Sequence, residues 1–192
     1  HLGERYQQFF LIVLGESILG AGLAVGPTGF QPARLATFAV SVTITVLFWR
    51  IYFYRAGLIL ADAIPHAPHP GRIGQSTADT HFVMVSGVFI TSIGYQLAII
   101  EPLSRSAVGW LIVVVGPALF IAGRARFEYE VFGRVSRSRL IALLVLFAIL
   151  PVMISTSQLA VAVAVAVVLL GVAVADARRA YGRPPEPAAP PL

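Results

Sequence analysis

The stretch Phe9–Val25, FFLIVLGESILGAGLAV, is apolar or small at every position except Glu16. A helix of about 20 such residues spans the hydrocarbon core of a bilayer, so this one run decides the fold class. A carboxylate within it costs roughly 2.5–3.5 kcal/mol on insertion scales. Glu16 is therefore expected to be paired, protonated or turned toward a wet cavity.

Composition extends that reading to the whole chain. The 192 residues are 57% hydrophobic and 12% charged, against roughly 45–50% and about 25% in soluble domains, leaving too little polar surface to cover a core in water. Mean hydropathy is +0.82. Six apolar stretches fall at Tyr6–Val25, Leu35–Tyr54, Thr80–Ile100, Ala107–Ala122, Leu140–Thr156 and Leu159–Ala175. The last alternates Ala and Val from Ala160 to Val167, which has the period of a strand, but a continuous apolar run of this length favours a helix. A lipid-exposed open strand would also leave backbone groups unpaired. The expected fold is an all-α polytopic membrane protein of about six transmembrane helices. Residues 1–176 form its single domain, and residues 177–192, ending in GRPPEPAAPPL, form a Pro-rich disordered tail. A start at His1, without Met or a charged leader, reads as a fragment of a longer protein.

The charges report topology. All 14 cations are Arg, and alternating the connectors from side to side places 12 of them on one face, with only Arg34 and Arg105 on the other. Such asymmetry marks the cytoplasmic face, so both termini are expected there. A sequence pI of about 10.2 is thereby explained without nucleic acid as a partner. The cluster Arg124–Arg139 is a candidate site for anionic lipid headgroups. Trp110 reads as an interfacial anchor at the opposite boundary. Cys is absent, which excludes disulfides, thiolate metal sites and Cys nucleophiles.

Helical phase separates packing faces from polar ones. Gly109, Gly116 and Gly123 recur every seven residues, as do Gly87 and Gly94, and both series suit close helix approach. On the other face of the third span lie His81, Ser92, Tyr95 and Gln96, a stripe that must meet protein or water. Arg5 and Glu16 share a face but stand about 16 Å apart along the axis. Glu16 therefore needs a partner from another helix, and the His81–Gln96 stripe is the nearest candidate. Gly22-x-x-x-Gly26 offers a further packing motif, and Pro117 and Pro151 read as kinks.

Three ordered blocks carry a family resemblance. His1-Leu-Gly-Glu4-Arg5 followed by Leu14-Gly15-Glu16-Ser17, the aromatic Phe48-Trp49-Arg50-Ile51-Tyr52-Phe53, and His81 followed by Gly87 resemble the bacterial low temperature requirement protein A (LtrA) family. Arg50 departs from the usual aromatic of the second block. The resemblance implies a polytopic protein of the bacterial inner membrane with an N-terminal half absent here, and names no reaction.

Three functional classes follow. Transport of an ion or small polar solute is preferred, with Glu16, His81, Arg5, Glu4, His1, Ser92, Tyr95 and Gln96 as candidate pathway or buried polar residues, since carboxylate and imidazole together make proton relays. The alternative is a membrane scaffold or sensor linked to low-temperature growth, in which Glu16 is half of a structural ion pair. An enzyme is not expected: His1-x-x-Glu4-Arg5 is no H-E-x-x-H, and there is no Gly-x-Ser-x-Gly elbow or phosphate loop. No cofactor is expected, and His66 and His69 in a Pro-rich loop lack a third metal ligand.

Overall fold

The computed structural model describes residues 2–26, 29–54, 70–153 and 155–182. Six helices follow one another among the described residues: α1 Leu2–Val25, α2 Pro32–Phe53, α3 Pro70–Ile100, α4 Ala107–Phe132, α5 Arg137–Met153 and α6 Gln158–Ala180. No strand occurs among the described residues. Five of the six are long and apolar enough to cross a membrane. The exception is α5, whose 17 residues reach only about 25 Å at 1.5 Å per residue.

Local chemistry sets the boundaries. Pro32 opens α2 at the position where a missing N–H costs nothing. The Ser106 and Ser157 hydroxyls accept from the backbone of Gly109 and Ala160 at the starts of α4 and α6. Gly133 ends α4 with φ of 65°, the left-handed turn that glycine adopts without strain. Two helices outrun their hydropathy. α4 continues ten residues past Ala122 through RARFEYEVF, and α6 runs through residues 177–180, which belong to the bundle and not to the tail. Residues 183–192, with most of the expected disordered segment, lie outside the described residues, as do His1, His66 and His69.

The bundle is apolar outside as well as inside. Ile12, Leu23, Phe82 and Leu144 are 67%, 76%, 72% and 69% exposed, an outer surface suited to lipid and costly in water. The inner face of α1 is Phe10, Leu14, Ser17, Ala21 and Val25, all buried and spaced at helical period.

The largest interface joins α3 to α4. A Cβ built on Gly87 would lie 2.6 Å from the Phe120 nitrogen and 2.8 Å from the Gly116 oxygen, and one on Gly116 would lie 2.6 Å from the Thr91 nitrogen. Here two backbones touch, and only glycine fits. Gly123 receives Met84, Gly94 receives Val113, and Gly109 receives the Gln158 side chain from α6. Gly22 and Gly26 instead face open space, so that motif packs nothing among the described residues. Gly116→Ala is expected to destabilise by about 1–3 kcal/mol through overpacking against backbone, while Gly22→Ala leaves stability unchanged. Thermal unfolding in detergent measures both, and equal midpoints would show that the seam tolerates a side chain.

Candidate functional site

Antiparallel packing gathers the first turns of α1 and α3 with the last turns of α2 and α4. There Tyr6, Tyr52, Thr77, His81 and Arg124 line a cavity of about 20 Å³ together with Met84 and Phe127. Rings fix its walls. Tyr6 stacks on His81 at 4.7 Å between centroids, and Phe10 stacks on Tyr52 at 3.8 Å. Phe48 and Phe120 meet at 4.5 Å just beyond. Phe10, Phe48 and Phe120 are at most 1% exposed, so an aromatic layer closes the bundle below the cavity.

Five hydroxyls elsewhere in the spans are satisfied within their own helices. Ser17, Thr37, Ser41, Thr45 and Thr91 each donate to the carbonyl four residues earlier, the cheapest way to carry a hydroxyl in lipid. The cavity differs. Thr77 Oγ1, His81 Nε2 and Arg124 Nη1 are buried with no hydrogen-bond partner. His81 Nδ1 lies 3.3 Å from the Tyr52 hydroxyl. Arg124 Nε donates to the Ile51 carbonyl at 3.2 Å, one of the acceptors that α2 leaves unused in its last turn. Beyond the aromatic layer, Ser92 Oγ and Tyr95 Oη are likewise buried without partners, and the Gln96 amide lies against Gly20 of α1.

Several other charges at the same end are paired. Arg139 of α5 grips Asp176 of α6 through both guanidinium nitrogens, one bond being 2.7 Å, and its Nε is 3.5 Å from Glu128 Oε2 of α4. That same oxygen accepts from the Ser136 N–H at 2.9 Å, fixing the α4–α5 turn. Arg179 and Arg134 reach the other Glu128 oxygen at 3.4 and 3.8 Å. Glu130 Oε1 accepts from Ser76 at 2.5 Å, Thr80 at 2.7 Å and Arg126 at 3.0 Å, tying α3 to α4. Among the described residues Arg124 has no such carboxylate, although it is only 7% exposed.

A family model described as bacterial low temperature requirement A protein (LtrA) matches residues 1–174. The chain belongs to the LtrA family. An uncharacterized protein of Rhizobium meliloti (strain 1021), RA0937, is 30% identical over 129 residues, which is 64% of this chain and 31% of the relative. The chain thus spans under a third of that relative in the aligned region. No solved structure matches.

Within this LtrA fold the sequence-derived candidates separate. His81, Ser92 and Tyr95 are buried and Gln96 is half-buried, all inside the bundle. Glu16 is not with them: it is exposed on the outer face of α1, in a groove with Phe9, Ile12, Val85, Ser86 and Phe89, and pairs with no described residue. The stripe it was expected to meet is instead contacted by Gly20, Tyr6 and Phe10, about 40°, 80° and 120° round the helix from it. Arg5 and Glu4 are exposed near the α1 start. Within the proposed lipid-binding cluster, Arg124 and Arg139 turn inward, at 7% and 4% exposed, leaving Arg126, Arg134 and Arg137 outside.

Sequence reasoning missed Tyr52, Thr77 and Arg124. An Arg 73 residues from its backbone acceptor gives no local signal, and hydropathy had assigned it to a loop. For the network, Asp176→Asn leaves Arg139 facing one carboxylate fewer and is expected to lower stability by about 3–5 kcal/mol. Denaturation in mixed micelles measures this; Arg139→Met combined with Asp176→Leu should recover most of the loss, and a harmless Asp176→Asn would show that the pair is dispensable.

Proposed function

We propose that the protein moves an ion or small polar solute across the bacterial inner membrane, with the cavity around Arg124 as a station on its route. The observation that carries this reading is the set of three buried polar atoms, on Thr77, His81 and Arg124, that no group among the described residues satisfies. A buried polar atom without a partner costs about 1–3 kcal/mol, more when charged, and proteins retain such atoms where something else occupies the site in the working cycle. The aromatic layer of Phe10, Phe48 and Phe120 is the natural barrier between this station and the unpaired Ser92 and Tyr95 groups beyond it. Small rotations of those rings would open it. The Arg-rich end faces the cytoplasm in this reading, in line with the 12-to-2 asymmetry, and the C-terminus with it.

One observation favours the scaffold reading for a different surface. A carboxylate exposed in the middle of a spanning helix is expensive against lipid, and the groove holding Glu16 encloses about 510 Å³. A neighbouring helix bearing a cation would fill it, so Glu16 is assigned to helix association and not to the solute route.

Reporter fusions after Gly29 and after Leu192 are expected on opposite sides of the membrane; the same side for both would break the proposed topology. In proteoliposomes, Arg124→Gln should abolish solute flux while Glu16→Gln preserves it. Flux that survives the first change and is lost with the second would reverse the assignment.

A further inference from the structure

We infer that the Arg124 cavity is a binding site for one small monatomic anion of the halide class. The inference names the solute class of the transport reading and rests on that reading for flux, but on the cavity alone for binding. Three properties converge. The first is charge: Arg124 is a buried guanidinium, and no carboxylate among the described residues lies within ion-pair distance of it, Asp176 and Glu128 being bonded to Arg139 and Glu130 to Arg126. A buried cation without a counter-ion is unstable unless a negative charge enters beside it.

The second property is donor geometry. Arg124 Nη1 can only donate, and the Thr77 hydroxyl rotates to donate. With the Tyr52 hydroxyl donating to His81 Nδ1, the neutral imidazole carries its hydrogen on Nε2, so this unpaired atom is a donor too. Among the described residues no carboxylate lines the cavity. Arg124 Nη1 is a fixed donor among residues that line one cavity, and Thr77 Oγ1 and His81 Nε2 can donate beside it, a set that favours an anion over a cation. The third is size. About 20 Å³ exceeds the roughly 10–15 Å³ that one water needs, room for a water or a bare halide. Met84 and Phe127 add apolar surface to a lining that also includes Gly3 and Gln7, and that apolar share suits a weakly hydrated anion such as bromide better than a strongly hydrated one.

The test uses the whole chain purified in detergent, with chloride or bromide exchanged for gluconate at constant ionic strength. Either halide should raise the thermal unfolding midpoint saturably, bromide at lower concentration. Arg124→Lys should weaken the effect and Arg124→Gln remove it; should Arg124→Gln not fold, Thr77→Val supplies the same test, raising the half-saturating halide concentration about tenfold for one lost hydrogen bond to a charged group. Identical midpoints in halide and gluconate would overturn the inference and leave the cavity a water site. Proteoliposome flux separates it from the transport reading. Halide stabilisation without flux of any solute would uphold the anion site and sink transport; flux of protons or a neutral solute without halide stabilisation would do the reverse.

Discussion

The contact between Gly87 and Gly116 governs the rest of the bundle. Lipid tails are as apolar as leucine, so helices in a membrane gain little from burying apolar surface and depend on close packing. Where these glycines meet, a methyl group on either would strike the backbone of the other helix. Thr91 returns its hydroxyl to the Gly87 carbonyl at 2.7 Å, so the hydroxyl at the point of closest approach is satisfied. Because α3 and α4 are 31 and 26 residues long, the same seam continues to the Arg-rich end, where it sets Thr77 and His81 opposite Arg124. Opening it would remove two walls of the cavity together.

Electrostatics completes what packing begins. The last third of α4 carries Arg124, Arg126, Glu128 and Glu130 in alternation, a run that looks like a surface loop and is largely buried. It is tolerable inside because three of the four are bonded to partners on α3, α5 and α6. The fourth, Arg124, is bonded to a backbone carbonyl alone. Leaving that one cation over is what distinguishes a site from a structural network.

Fold and site were legible in the sequence to different depths. Six apolar runs predicted six helices, because hydropathy reads burial in lipid or protein alike. The glycine spacing in the third and fourth spans pointed to the faces that touch, since a seven-residue repeat keeps one side of a helix. Phase failed for α1: a helix apolar all round gives no signal of which side faces inward, so Glu16 drew attention that Ser17 and Gly20, its inward neighbours, merited. Charge failed for α4, where pairing with Arg139 and Arg179 hides Glu128 from any local scale. Tyr52, Thr77 and Arg124 come together only through tertiary structure, from three helices. Of the cavity, only His81 stood out beforehand, as an imidazole in an apolar helix.

The account stands on a polar cavity at the Arg-rich end, closed from the opposite side by Phe10, Phe48 and Phe120. The chain contains no cysteine, so a single Thr77→Cys thiol can be probed by silver ion in oriented membranes without background. In halide-free buffer, modification from the Arg-rich side alone is the predicted result. Modification from the opposite side, or from neither, would contradict it.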